Sequence, residues 1–187
     1  MANDDLVRAL KAGPDDLAAW RREHPDAALD LDGAGLRGVQ LQGASLRGAS
    51  LRGAILARAN LEGARLDGAV LADAKLKGTF LEGASLVAAK LDGADLSGAF
   101  LARADLSRAS LTSVDLRQAY LSLATLDDAD LSGAKLDLAM LNFASLNGAD
   151  LSAATGVKQA QLDKANCDER TRVPDGLTRP DGVKRPR

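Results

Sequence analysis

Leucine occupies every fifth position from Leu31 to Leu151 without interruption, which places 25 leucines in phase. Alanine stands three residues after each of these leucines, from Ala34 to Ala154, with three exceptions: Val39, Thr79 and Val114. Five residues of α-helix rotate by about 500°, so the leucines would not form a stripe. Strand side chains alternate between faces, so every second leucine would point outward. The period predicts a chain that turns a corner every five residues and buries one leucine per side.

The repeating unit reads A-x-L-x-x, as in Ala59–Gly63, Ala94–Gly98 and Ala149–Ala153. This unit closely resembles the pentapeptide-repeat family over about residues 29–155. The resemblance implies an all-β solenoid, a right-handed quadrilateral β-helix in which four pentapeptides form one square coil. Twenty-five sides then give about six coils and a rod ~30 Å long at ~4.8 Å per layer. Glycine recurs two residues after the leucine, where a corner needs unusual backbone angles.

Residues 1–28 do not follow the period and predict a helical N-terminal cap. Asn3 to Asp5 favour the start of a short helix that ends near Gly13, and Pro14 suits the first turn of a second helix that ends by Pro25. We expect Leu17, Ala18 and Trp20 to form the buried side of this second helix. The segment resembles a helical region ahead of the repeats in some standalone family members.

After Leu151 the phase slips by one residue, and Val157 and Leu162 replace the positions expected at 156 and 161. Ala160 and Ala165 stand two residues before the next places of this shifted row. We interpret residues 156–180 as a distorted, partly helical C-terminal cap, and residues 181–187 as a disordered basic tail.

Composition argues against catalysis and membrane insertion. One histidine and one cysteine, His24 and Cys167, lie far apart in the sequence and supply neither a nucleophile–base pair nor a metal-ligand set. No phosphate-binding motif is present, so the sequence predicts no catalytic residues, no metal and no cofactor. No apolar run is long enough for a transmembrane helix, and the N-terminus lacks a signal-peptide pattern, so a cytoplasmic location is expected.

Apolar residues concentrate on one of the four sides. We number the faces by their leucines: Leu31 begins face one, Leu36 face two, Leu41 face three and Leu46 face four, each recurring every 20 residues. All four aromatic residues of the repeat fall on face three, which also carries Leu123 and Met140: Phe80, Phe100, Tyr120 and Phe143. One interpretation is a ladder of cross-strand pairs that stiffens the rod. The other, which we favour, is a homodimer interface of Phe100, Tyr120, Leu123, Met140 and Phe143.

Charge is also uneven along the rod. Between Leu31 and Phe80, seven basic residues outnumber four acidic ones, whereas between Leu91 and Asp150 nine aspartates outnumber four basic residues. A solvated surface of mixed charge would account for this. The alternative is an acidic partner-binding surface formed by Asp92, Asp127, Asp128, Asp130 and Asp150.

Two functions fit these features. The resemblance implies a non-enzymatic DNA mimic that binds a type II topoisomerase, DNA gyrase or topoisomerase IV, and protects it from poisoning antibiotics. The acidic C-terminal half agrees with that hypothesis, although the net charge is only −2. The second function is a scaffolding module without a topoisomerase partner. Neither hypothesis involves direct nucleic acid or membrane binding.

Overall fold

The computed structural model describes residues 4–180 and opens with two helices, α1 (Asp4–Ala12) and α2 (Pro14–Glu23). Both match the prediction, with Pro14 in the first turn of α2. Asn3, at the beginning of the predicted helix start, and the tail predicted at 181–187 lie outside the described residues. Ala18 is exposed, contrary to expectation, because a helical turn places it away from Leu17 and Trp20. Within the described residues, no helix is long and apolar enough to cross a lipid bilayer.

The repeat forms four-sided coils of 20 residues. Each side pairs in parallel with the side 20 residues later, from Asp30 with Ser50 through to Lys135 with Thr155. Except at Thr155, the bridging residue in these pairs is the one before a leucine. The leucine N–H donates to the next coil, as Leu51 does to the Val70 carbonyl at 2.7 Å. These bonds link each coil only to its neighbours along the rod.

Every corner is a tight turn between a leucine and the next alanine position. At Leu51–Ala54, the Ala54 N–H donates to the Leu51 carbonyl at 3.1 Å, and Gly53 has a φ of 62°. A positive φ at the third residue alone is the geometry of a type II turn, which favours glycine there. The predicted corner glycines are therefore explained by backbone geometry.

The interior contains the two predicted rows of side chains. All 25 leucines of the period are buried, at most 2 % exposed, and the alanine row is buried with them. Leu6, Leu10, Leu17 and Trp20 of the helices belong to the same core. Thr79 replaces an alanine without leaving a polar group unpaired, because its hydroxyl donates to the Leu56 carbonyl at 2.8 Å.

The C-terminal segment leaves the period as predicted and contains a short helix, α3 (Gln159–Leu162). Leu162 and Ala165 are buried, but Val157 is only half-buried and Ala160 is exposed, so the expectation that these two continue the inner rows was wrong. The physical reason is α3, whose Gln161 amide donates to the carbonyls of Leu136 and Ala139 instead of forming another side. Pairing resumes with longer offsets, Ser145 with Asn166 and Asp150 with Arg172.

Candidate protein-binding surface

A column of apolar side chains runs along face three. Phe80, Phe100, Tyr120 and Met140 precede their leucines in four successive coils and are bridged one to the next. The rings of Phe80 and Phe100 stack with centroids 4.9 Å apart, and those of Phe100 and Tyr120 with centroids 4.8 Å apart. This separation matches the ~4.8 Å between neighbouring strands, so the backbone pairing itself sets the ring stacking. The four side chains remain 37–43 % exposed.

Large apolar residues also occupy the corners on both sides of this column. Leu123 and Phe143 lie at the edge toward face four and are 49 % and 54 % exposed. Leu138, at the edge toward face two, is 66 % exposed. Leu138 was missed from the sequence because it follows the face-two leucine Leu136, although a corner residue borders both faces. The sequence feature that could have identified Leu138 is a large apolar residue at a repeat position where glycine is usual.

The backbone at these corners makes the side chains more unusual. Leu123, Leu138 and Phe143 have φ values of 63°, 59° and 60°, in the left-handed region. For residues with a Cβ this region costs roughly 1–2 kcal/mol each. Exposed leucine and phenylalanine gain little from burial in the rod, so packing within one chain does not explain their presence.

Four of the five predicted acidic residues lie close together. Asp130 and Asp150 are bridged on face one, and Asp127 and Asp128 form the adjoining corner. Asp92 lies apart, in an earlier coil. The acidic residues and the apolar column lie on different surfaces of the rod, because face four separates face one from face three.

Most of these carboxylates accept hydrogen bonds from the rod itself. Asp127 accepts from the Ser145 hydroxyl at 2.5 Å, and Asp130 accepts from the Ser132 backbone N–H at 2.9 Å. Asp92 accepts from the hydroxyls of Ser110 and Thr112. For Asp92, burial alone would raise the pKa, but these hydroxyl bonds outweigh burial and lower the pKa below its ordinary value.

The C-terminal segment supplies cations to the acidic cluster. Arg170 pairs with Asp128 at 2.7 Å, and Arg172 pairs with Asp150 at 2.7 Å. The Ser152 hydroxyl bond and then Arg172 lower the pKa of Asp150. Sequence reasoning missed both pairs because they join residues 42 and 22 positions apart, outside the period. The two arginines make the net negative charge of this cluster smaller than its four aspartates suggest.

The residues with catalytic potential do not meet. His24 stacks on Trp20 at 4.5 Å in the N-terminal region, while Cys167 lines an open cleft of about 820 Å³ at the other end of the rod. Burial raises the pKa of the Cys167 thiol, which disfavours the reactive thiolate. Across residues 4–180 no group of three His, Cys, Asp or Glu side chains could hold a metal ion.

Comparison with known proteins identifies the repeat. The family model described as pentapeptide repeats matches the chain with 8 copies, in overlapping segments that together run from 34 to 155: 34–71, 64–103, 89–128, 104–142 and 119–155. No curated protein matches the chain.

Several solved structures are similar. A pentapeptide repeat protein from the Arabidopsis thaliana thylakoid lumen is 30% identical, with a TM-score of 0.53 over 55% of this chain and 70% of that chain. HetL, involved in heterocyst differentiation regulation in Nostoc sp. strain PCC 7120, is 31% identical over 82% of this chain and 84% of its own, with a TM-score of 0.30. QnrB1, a plasmid-mediated fluoroquinolone resistance protein, is 19% identical over 75% and 78%, with a TM-score of 0.36. The last two likenesses are too weak to indicate what this chain binds. The family match implies a right-handed quadrilateral β-helix.

Proposed function

Because the chain belongs to the pentapeptide repeat family, we propose that it is a non-enzymatic rod that works by binding proteins, first of all a second copy of itself. The observation that carries this proposal is the apolar column of face three, continued by exposed apolar corners. A contiguous exposed apolar surface of this kind is typical of a protein interface.

The homodimer interface that we propose contains Phe100, Tyr120, Leu123, Met140 and Phe143, near the C-terminal coils. A two-fold axis would bring the same patch of each copy together. Burying one such side chain fully is worth roughly 1.5–3 kcal/mol, so a few of them suffice for a stable contact. Leu138 extends the patch at its edge.

The test is the double substitution Met140→Glu, Phe143→Glu, followed by light scattering. Two buried, unpaired carboxylates would oppose association, so we expect monomers. The matched control is Lys135→Glu, Thr155→Glu, which places two carboxylates on face two of neighbouring coils and should leave the dimer intact. A dimer that survives the first pair of changes would refute this interface.

For the partner beyond the second copy, we propose a type II topoisomerase, DNA gyrase or topoisomerase IV, reached in the cytoplasm. The acidic cluster of Asp127, Asp128, Asp130 and Asp150 supports this candidate, since it offers a group of carboxylates to a basic DNA-binding groove. The pairing with Arg170 and Arg172 weakens the resemblance to a phosphate backbone. This candidate therefore ranks below the general protein-binding function.

The deciding experiment measures gyrase supercoiling and drug-stabilised cleavage at rising protein concentration and low salt, where electrostatic association is strongest. Changing the four clustered aspartates to asparagine should reduce any effect. The matched control changes four carboxylates of the N-terminal half to asparagine: Asp30, Asp32, Asp67 and Asp73. If the unaltered protein changes neither supercoiling nor drug-stabilised cleavage with any of several poisons, the topoisomerase hypothesis is wrong. The remaining function is then that of a scaffold without a topoisomerase partner.

We also propose that residues 1–28 and 156–180 cap a rod of about six coils formed by 29–155. The open ends of a solenoid expose core side chains and unpaired backbone groups. Leu6, Leu10, Leu162 and Ala165 are fully buried at the two ends, in support of this division. Deleting residues 1–28 should then expose the first coil and cause aggregation, measured by light scattering.

A further inference from the structure

We propose that two copies associate side by side and parallel, through the whole of face three, about a two-fold axis that runs along the rods. This geometry rests on the homodimer proposed above and specifies its arrangement. It extends the contact from the C-terminal coils to Phe80 and Asn60. Leu162 and Ala165 of the C-terminal segment are buried in the core at the end of the rod, so the last coil is covered and we place the contact on face three.

The exposed apolar surface is large enough for such a contact. Seven large apolar side chains share face three and its corners, and each is 37–66 % exposed. At ~200 Å² per large side chain, they present on the order of 650 Å² per copy. A monomer's largest apolar patch is typically ~300–600 Å², and a standard interface buries ~800 Å² per partner. The charged edges of the same face can supply the remainder.

A two-fold axis along the rods brings each edge of face three against the opposite edge of the second copy. In one coil Arg58 lies at the edge toward face two and Glu62 at the edge toward face four. In the next coil Lys77 and Glu82 occupy the same two edges. All four side chains are exposed, and none forms an ion pair with another residue of the described chain. Each cation would therefore face a carboxylate of the second copy.

The C-terminal coil shows the same edge-to-edge match in apolar form. Leu138 at one edge and Phe143 at the other border Met140 in a single coil. The parallel arrangement sets Leu138 against the second copy's Phe143, twice by symmetry, with the Met140 side chains between them. This packing would bury the strained corner side chains that the isolated rod leaves in solvent.

An antiparallel pair fits less well. When the two rods run in opposite directions with their apolar columns aligned, Phe80 of one copy lies against Met140 of the other. Each edge of face three then meets the same edge of the second copy. Leu138 would then lie against Lys77 and Gly78, and Phe143 against Glu82 and Gly83. Apolar side chains would cover charged ones, which desolvates the charges without pairing them.

The experiment uses single cysteines in the full chain, with Cys167→Ser as the background. Phe80→Cys and Met140→Cys lie three coils apart on the same column. Facing sheets pack ~10 Å apart, too far for a direct disulfide, so a short bis-maleimide joins the thiols. Parallel copies place each cysteine opposite itself, and we expect both variants to double in mass on a denaturing gel. Asn60→Cys, which removes no ring, repeats the test if Phe80→Cys fails to fold.

Lys135→Cys, exposed on face two, is the matched control and should remain a monomer on the gel. Crosslinking only when Phe80→Cys and Met140→Cys are mixed would show an antiparallel pair and overturn the proposal. Crosslinking of Met140→Cys alone would confine the contact to the C-terminal coils and overturn it as well. Monomers in light scattering before crosslinking would refute the proposed homodimer itself, which separates the two failures.

Discussion

The Asp127 carboxylate accepts a hydrogen bond of 2.5 Å from the hydroxyl of Ser145, a residue 18 positions later and one coil along the rod. The same spacing joins three further pairs: Asp32 with Ser50, Asp67 with Ser85, and Asp92 with Ser110. An aspartate just after a leucine therefore meets a serine just before a leucine of the next coil. These four aspartates therefore link neighbouring coils, whatever else they bind.

Removing one of these ties should destabilise the rod measurably. Asp127→Ala leaves the Ser145 hydroxyl and the Asn147 N–H without their acceptor, and bonds to charged groups contribute about 1.5–3 kcal/mol. We expect a loss in that range by urea unfolding, and a smaller loss for Asp127→Asn, which keeps an acceptor oxygen. Glu82→Ala changes the same turn position where the carboxylate has no hydroxyl partner. In the Met140→Glu, Phe143→Glu background, where no dimer contact involves Glu82, it should alter stability by less than about 0.5 kcal/mol.

Among these substitutions, we expect the largest loss of stability from truncating a leucine of the buried row. Leu91→Ala removes a fully buried side chain in the middle of the rod, where neighbouring leucines cannot collapse to fill the space. We expect a loss of about 2–5 kcal/mol in denaturant unfolding. A loss below 1 kcal/mol would show that the coils can repack, contrary to a close-packed core. Circular dichroism of the variant should keep the β-type spectrum of the parent.

Alanine substitutions at two corner glycines distinguish the cost of backbone strain from the cost of a steric clash. Gly98 has a φ of 63° and open space where a Cβ would lie, so Gly98→Ala should lose about 1 kcal/mol from strain alone. Gly148 has a φ of 69°, and a Cβ there would clash with Asp128 Oδ1 and crowd Arg170. Gly148→Ala should therefore lose more, because it also displaces the Asp128–Arg170 pair. Equal losses in thermal unfolding would contradict this account.

The reverse change at an apolar corner should stabilise the isolated rod. Leu138→Gly relieves a left-handed φ of 59° at a side chain that is mostly exposed. After the extra chain entropy of glycine is counted, we expect a gain of up to ~1 kcal/mol. The measurement belongs in the Met140→Glu, Phe143→Glu background, where no dimer contact complicates it. A loss of stability there would mean that Leu138 packs within its own chain.

The period of five was sufficient to predict the buried rows, the corners and the stacking on face three, since each follows from one repeating geometry. It could not place Leu138, because a corner residue borders two faces and the sequence assigns it to only one. It also misplaced Val157 and Ala160, where α3 interrupts the coil. The pairs of Arg170 and Arg172 with the acidic cluster were out of reach for the same reason: they depend on how an aperiodic segment returns to the rod.

Asp168 gives that returning segment a dependence on pH. Its Oδ1 accepts from the backbone N–H groups of Gly148 and Thr171 at 2.8 and 3.1 Å, and its Oδ2 pairs with Arg170 at 2.9 Å. Burial alone would raise the pKa of Asp168, but the Gly148 N–H, Arg170 and Thr171 bonds outweigh it and lower the pKa to about 2. A lowered folded-state pKa means that the carboxylate stabilises the fold above the ordinary value of 3.8 and loses that contribution as the pH falls toward 2.

We therefore expect the melting temperature of the protein to fall between about pH 4 and pH 2, and the Asp168→Asn variant to fall less over that interval. Other carboxylates whose pKa is lowered contribute to the same decline in both proteins: Asp67, Asp92, Asp115 and Asp150. The difference between the two melting curves therefore reports on Asp168 alone. Above pH 5 the two curves should run parallel, with Asp168→Asn lower throughout. Curves that stay parallel down to pH 2 would show that Asp168 titrates normally and that its bonds to Gly148 and Thr171 do not hold the segment.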